Sequence, residues 1–197
     1  MAAATSSAIV PPSRSFIGCD GDTHTIETAD YIHEIFTLPD GVEKTLLLHP
    51  SFTRTTTNNI RLNKRLQFVD GSNDQCGYST FTDITDNSTS PFAEDCGVIR
   101  DNYGALSGYF RVNYLDLIVN KYCYLIMIGT CVFGITTNDT LGTMVGTEDI
   151  HDIMRDSINQ FTQNTGRVGA TGNVTCNAGD TTVTVTWVIQ GLLQNPI

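Results

Sequence analysis

A chain of 197 residues with 11 Lys and Arg against 21 Asp and Glu carries a formal charge of −10, and only 16% of it is charged, against roughly 25% in an average soluble domain. Such an acidic surface, polar mainly through Thr, Asn and Ser, repels phosphate backbones and anionic lipid, which argues against nucleic-acid and membrane-surface partners. The 40% of apolar residues suffices for one sizeable core. Residues 1–15, small and polar with Pro11-Pro12, read as a flexible arm. They show neither a basic n-region nor an apolar stretch of signal-peptide length, so a secreted form would be the mature chain with an added Met. Residues 16–75 read as a β-rich extension, and the first clear element in it is a hairpin: YIHEIFTL and VEKTLLLH flank Pro39-Asp40-Gly41. After a Thr-rich stretch, Ile60, Leu62, Leu66 and Phe68 alternate with polar residues as an amphipathic strand. Arg54, Arg61, Lys64 and Arg65 cluster around this strand and read as a solvated basic face.

Two helices follow from capping chemistry and periodicity. The first is predicted to begin at Ser90-Pro91, with Ser as N-cap and Pro at the first helical position, and to end at Gly104. Glu94 and Asp95 suit its positive end, and Phe92, Cys96, Ile99 and Tyr103 form its buried stripe. The apolar run Tyr122 to Ile135 is interrupted by Gly129 and Gly134 and spans 14 residues, where a membrane helix needs about 20; it is expected to be a buried strand. The second helix is predicted from about Thr147 to Thr165, with Gly166 beyond its end. Its buried stripe is Ile150, Ile153, Met154, Ile158 and Phe161, and the same spacing puts Asp149, Asp152, Arg155 and Asp156 on a solvated face. A second hairpin closes the chain. Val168, Ala170, Gly172, Val174 and Cys176 share one side of its first strand, and Val183, Val185, Trp187 and Ile189 one side of its second. With Ser107 to Val112 as a further strand, the fold class is α+β: a mostly antiparallel sheet against two helices. Residues 76–190 form the main domain of this reading and 191–197 a tail.

Cys19, Cys76, Cys96, Cys123, Cys131 and Cys176 are widely spaced, even in number and free of C-x-x-C or short Cys/His pairs. They read as three disulfides and not as a metal or redox motif. The sequons at Asn87, Asn138 and Asn173 point to the same oxidising, extracellular compartment. No G-x-S-x-G, H-E-x-x-H, Walker or G-x-G-x-x-G motif occurs, which removes the usual support for hydrolases and nucleotide enzymes. His24, His33, His49 and His151 sit on unrelated segments. The acid pairs Asp83/Asp86 and Asp149/Asp152 are of the kind a glycosidase uses, but one-turn spacing and an acid-rich composition account for them. STFTDIT, from Ser79 to Thr85, reads as a hydrogen-bonded loop. The sequence therefore calls for no catalytic residue, metal or cofactor.

The blocks CGYSTFTDITDNSTSPFAEDC, SGYFRV, GTCVFGI, VGTEDIHDIMRDSINQF, GRVGATGNVTC and a closing VTW resemble, in order and spacing, the domain family of fungal secreted effectors named after the second extracellular protein of the tomato leaf-mould fungus. The resemblance runs from Cys76 to about Gln190. It implies a small cysteine-stapled protein exported by a fungus and able to provoke necrosis or immune recognition in plants. The family is distantly similar to viral killer toxins of smut fungi, which implies an α/β sandwich and antimicrobial or channel-directed activity. Its four cysteines match Cys76, Cys96, Cys131 and Cys176, and its nested pairing implies Cys76–Cys176 and Cys96–Cys131, leaving Cys19 for Cys123. The function expected is non-enzymatic binding of a host or competitor target, be it a protein, a membrane channel or a cell-wall component. The alternatives are a secreted carbohydrate-active hydrolase and a self-assembling cell-surface protein. Tyr109-Phe110 where the family often has Trp, Val188 for a usual Gly, and the first 75 residues depart from the pattern.

Overall fold

The structure is a computed structural model and describes residues 13–17, 23–27, 31–37, 41, 43–48, 67–103, 106–112, 122–139, 142–162 and 164–191. Cys19, His49, the basic cluster Arg54, Arg61, Lys64 and Arg65, most of the amino-terminal arm and the tail beyond Gly191 lie outside them. The amphipathic strand predicted from Ile60 is described only from Gln67.

Thirteen strands and two helices are described. β1 (Ser13–Ile17) pairs with β2 (Thr23–Glu27), so pairing starts directly after Pro11-Pro12, inside the predicted arm; proline at that place costs the ladder no N–H. β3 (Ile32–Thr37) and β4 (Glu43–Leu48) form the expected hairpin, in the register Ile32↔Leu48 to Thr37↔Glu43. The remaining strands are β5 (Gln67–Asp70), β6 (Cys76–Ser79), β7 (Thr82–Asp83), β8 (Gly108–Val112), β9 (Cys123–Ile128), β10 (Cys131–Thr137), β11 (Thr143–Gly146), β12 (Ala170–Ala178) and β13 (Thr181–Gly191). The main antiparallel sheet runs β3-β4-β9-β10-β13-β12-β6, with β7 also on β12, and a three-stranded sheet runs β11-β8-β5. The class is α+β, with both helices and mostly antiparallel strands, as the sequence pattern requires. The amino-terminal hairpin joins the main sheet through β4, where Leu46, Leu47 and Leu48 pair with Ile128, Met127 and Ile126.

The run Tyr122 to Ile135 is two strands, not one. The chain reverses at Gly129-Thr130, and β9 and β10 pair Cys131↔Ile128, Val132↔Met127 and Phe133↔Ile126. Gly129 takes φ +52°, and a Cβ there would stand 2.5 Å from the Asp95 carboxylate. Every residue of β9 is buried, which is why it reads as a continuous apolar run: a central strand covered on both faces loses the alternation of a half-exposed one.

α1 (Ala93–Tyr103) starts later than predicted. Ser90 is not its N-cap: the Ser90 hydroxyl accepts from Asp86 N–H at 2.8 Å, and Pro91 and Phe92 run extended against Arg167 and Val168. Phe92 is correspondingly not in the buried stripe; it is exposed and carries the Arg167 guanidinium 4.1 Å above its ring. Tertiary pairing outcompetes the local Ser-Pro signal here. Its remaining described stripe residues, Cys96 and Ile99, are fully buried. The start of α1 is tied to the β9–β10 turn, where Asp95 Oδ2 accepts from the Thr130 N–H at 2.8 Å and its hydroxyl at 2.7 Å. The Thr130 hydroxyl oxygen in turn accepts from Phe92 N–H at 2.9 Å. Cys96–Cys131 closes the same corner.

α2 (Thr147–Phe161) ends a turn earlier than predicted, because extended backbone at Thr162 stops the helix. Ile150, Ile153 and Met154 enter the core between the helices and the inner sheet face, with Trp187, Phe133, Phe110 and Ile99, and Ile158 and Phe161 pack on its margin. β12 alternates as predicted, with Ala170, Gly172, Val174 and Cys176 buried and Asn173, Thr175 and Asn177 exposed, whereas β13 alternates only as far as Trp187, beyond which Val188 and Gln190 are buried as well. The opposite face of the sheet is buried in one half only, around Leu47, Tyr122, Tyr124, Met127, Val132 and Val188. Among the described residues, no helix is long and apolar enough to cross a membrane.

Candidate functional site

The most articulated polar site lies where β6 meets the first turn of α2. β11 runs straight into α2, and Asp149, the third helical residue, folds back so that its Oδ2 accepts from Gly146 N–H at 2.7 Å. The same carboxylate accepts from Gln75 N–H at 3.0 Å and Cys76 N–H at 3.2 Å, while Glu148 N–H donates to Asn73 O at 2.9 Å. Asp149 is therefore buried and structural, a correction to its predicted place on the solvated face. It latches the strand that carries Cys76 onto the helix, and Cys76–Cys176 locks that strand to β12. The latch was hidden in the sequence because its N-cap is Gly146, which lacks the hydroxyl that marks a capping box. Asp152, Arg155 and Asp156 do stay on the wet side: Arg155 bonds Asp152 at 2.6 Å and Asp156 at 2.8 Å.

A groove of about 400 Å³ opens between this side of α2 and β6, lined among others by Asp74, Tyr78, Phe81, Glu148 and Asp152. Tyr78 is fully exposed. It sits in a β-bulge, since Cys76↔Cys176 and Val174↔Ser79 leave Gly77 and Tyr78 opposite Thr175 alone. The sequence blocks contain Tyr78 without distinguishing it; only the bulge turns its side chain out. Ser79 to Thr85 is hydrogen-bonded as expected, but as sheet edge: Thr82 and Asp83 pair with Thr171 and Ala170, and Thr85 exchanges bonds with Gly169.

The groove sets the carboxylates of Asp74, Glu148 and Asp152 beside Tyr78, Phe81 and Ile153. Burial pushes the Asp149 carboxyl up to about 6, against the pull of its three N–H donors, with the negative charge of Asp74 adding to the rise. That value suits a general acid, but both oxygens are held by backbone donors. Asp86 is held well below the usual carboxylate range by the hydroxyl and N–H of Ser88 and of Thr89, and Asp83 accepts from Thr85 N–H. Glu148, His151 and Asp152 bring ligand atoms within 4.8 Å of one another. His151 and Asp152 already pair at 3.2 Å on the open helix face. His24 and His33 lie on β2 and β3, in two different sheets, and His151 lies on α2.

A group whose pKa is raised on folding binds its proton more tightly in the folded chain. Its contribution to stability is full below about pH 4 and is lost as pH rises through 6. The stability margin of the wild type over Asp149→Asn is thus expected to be larger at about pH 4 than at about pH 7, by about 1–2 kcal/mol. Urea unfolding of both proteins checks this; a constant or inverted margin refutes it.

The predicted sequons differ in setting. Asn87 lies exposed in the turn that Asp86 organises, and Asn138 is exposed just after β10. Asn173 is exposed in mid-strand, with its Oδ1 accepting from the Thr186 hydroxyl at 2.8 Å. In a chain made through a secretory pathway, glycan occupancy is expected to be higher at Asn87 than at Asn173, because strand pairing competes for the latter. Glycopeptide mass spectrometry reads the ratio, and equal occupancy counts against this ordering.

Residues 75–176 match the Hce2 family, described as pathogen effectors and candidate necrosis-inducing factors. The chain belongs to this family. Comparison with curated proteins finds no match. The Hce2 segment opens at Gln75, whose N–H Asp149 holds, and closes at Cys176. It thus contains both helices, the groove-lining residues apart from Asp74, and both described disulfides, Cys76–Cys176 and Cys96–Cys131, the pairs the resemblance implied. The Cys19–Cys123 pairing involves a residue outside those described. β13, with Trp187, lies beyond the matched span.

Proposed function

We propose that this Hce2-family chain is a secreted fungal effector or toxin-like protein that acts outside the cell by binding a host or competitor target, with no bond-making of its own. The family match over residues 75–176 carries the reading. The wide cysteine spacing and the two cross-links suit an oxidising compartment, and glycans at Asn87, Asn138 and Asn173 belong to the same proposal. Among the described residues, the carboxyl with a markedly raised pKa, Asp149, is committed to backbone N–H groups, which favours contact over turnover. The groove beside Tyr78 is the natural contact surface.

Infiltration of the purified, oxidised protein into plant tissue, with application to competing microbes in parallel, tests this. Tissue death or growth arrest is expected from the wild type and from Asp70→Asn and Glu94→Gln, whose carboxylates are exposed and do not line the groove, and is expected to vanish when the disulfides are reduced. Loss of activity in a folded single-carboxylate variant, accompanied by measurable turnover of a polysaccharide, would replace the binding reading with the hydrolase alternative.

A further inference from the structure

The groove between β6 and α2 is unbalanced in charge. Five carboxylates line it, those of Asp74, Glu148, Asp149, Asp152 and Asp156, against one cation, Arg155. Its two walls differ in how that charge is answered. Along α2, the Arg155 guanidinium bonds Asp152 at 2.6 Å and Asp156 at 2.8 Å. Toward β6, no cation among the described residues pairs with Asp74, and Glu148 reaches only His151 Nδ1, at 3.9 Å. The charge of Asp74 acts across the groove, where it helps to raise the Asp149 carboxyl. On the β6 wall stands Tyr78, fully exposed on its bulge, with Phe81 also in the lining. A ring left wholly in water on a strand that a disulfide holds in place contributes no burial to the fold, and such rings anchor interfaces when a partner covers them.

Charge and shape together select the occupant. Anions are repelled, and a neutral ligand would leave Asp74 and Glu148 unanswered. A bare metal ion would use the carboxylates but not the ring, and in the trio Glu148, His151 and Asp152 the Asp152 oxygen is already bonded by Arg155. A guanidinium uses both: its plane lies on an aromatic face while its N–H fork meets carboxylate oxygens, and it is more weakly hydrated than an ammonium. The chain makes each half of this contact with its own arginines, Arg167 over the Phe92 ring at 4.1 Å and Arg155 between two aspartates. The volume, about 400 Å³, is at the small end for a ligand pocket, and the fully exposed Tyr78 is not enclosed by it. Covering that ring takes a chain running across the mouth, not a ligand sunk inside. We infer that this groove docks an arginine-bearing segment of a partner protein, with Tyr78 stacking on a guanidinium that Asp74 and Glu148 bind. The inference rests on the contact reading above and deepens it by naming the partner's chemistry.

The test is fluorescence anisotropy of a labelled hexa-arginine peptide titrated with the purified, oxidised full chain, with hexa-lysine in parallel. Hexa-arginine is expected to bind more tightly than hexa-lysine, and more weakly as salt rises. Tyr78→Ala is expected to weaken hexa-arginine binding about two- to fivefold, the range for losing an exposed cation–π contact, and to erase the preference over hexa-lysine. Asp74→Asn is expected to weaken it at least as much. Asp180→Asn, in the exposed turn between β12 and β13, changes the net charge equally and should bind as the wild type does. Asp74 and Tyr78 are both exposed, and thermal unfolding confirms that each variant is folded; should one fail, Glu148→Gln takes its place. No binding, equal binding of the two peptides, equal weakening in Asp74→Asn and Asp180→Asn, or free arginine amide binding as tightly as the hexapeptide overturns the assignment. A tissue response lost in Tyr78→Ala without any arginine preference also overturns it, while leaving the groove as the contact surface, so the two readings fail separately.

Discussion

Converting Cys76 and Cys176 together to serine is expected to lower the unfolding free energy by about 4–5 kcal/mol. Converting Cys96 and Cys131 is expected to cost about 3–4 kcal/mol. The difference follows from loop length: the first bond spans 100 residues of sequence and the second 35, and the entropy denied to the unfolded chain grows with the logarithm of the loop closed. Set against a total stability of about 5–15 kcal/mol for a domain, the first loss removes between about a third and nearly all of the margin. The bonds also differ in what they hold. Cys76–Cys176 secures edge strand β6, which Asp149 already grips, whereas Cys96–Cys131 secures a corner that Asp95 and Thr130 close as well. Urea unfolding of the two double variants and the wild type decides it. Equal losses, or the larger loss at Cys96–Cys131, would show that packing at the α1 corner outweighs loop entropy.

Gly172→Ala is expected to cost about 3 kcal/mol or more, the upper range for forcing an extra methyl into packed structure. A Cβ at Gly172 would stand 1.8 Å from Thr80 O and 2.7 Å from Trp187 Cζ2. Neither atom can withdraw cheaply. Thr80 is bound to Asn173 by its backbone N–H at 2.8 Å, and the buried Trp187 ring packs edge-on against Phe81 with centroids 5.3 Å apart. Gly77→Ala is the matched control: its nearest neighbour is Thr175 O at 3.8 Å, and its effect is expected to stay within about 0.5 kcal/mol. Thermal or urea unfolding separates the two. A neutral Gly172→Ala would mean that the loop carrying Thr80 can move off the sheet, and with it the lip of the groove.

Side-chain period settles those elements whose competing signals agree. α2 carries its apolar residues at helical spacing and folds with Ile150, Ile153 and Met154 in the core. β12 alternates so strictly that Asn173 could be placed outside and Cys176 inside from the residues alone. The hairpin of β3 and β4 follows from Pro39-Asp40-Gly41 between two β-rich runs. The site was less legible. Its disulfide frame and the STFTDIT block stand out as residues, but the Asp149 latch does not, since its donors come from Gln75 and Cys76, more than seventy positions away.

Local chemistry was thus sufficient for the α+β class and, apart from the start of α1 and the place of Phe92, for the two helices and their inward stripes, because turn preference and hydrophobic period act over a few residues; the kinship to pathogen effectors came from the matching motif blocks. Folding in three dimensions was needed to split the run at Gly129, to delay α1 until Ala93, to bury Asp149, to turn Tyr78 outward and to leave one half of a sheet face open. Each of these depends on a partner remote in sequence: the Asp95 carboxylate, the Arg167 segment, the Gln75-Cys76 backbone, the short edge of β12, and the register of β13. A burial or hydrogen bond contributed from that distance outweighs a local preference worth about 1 kcal/mol.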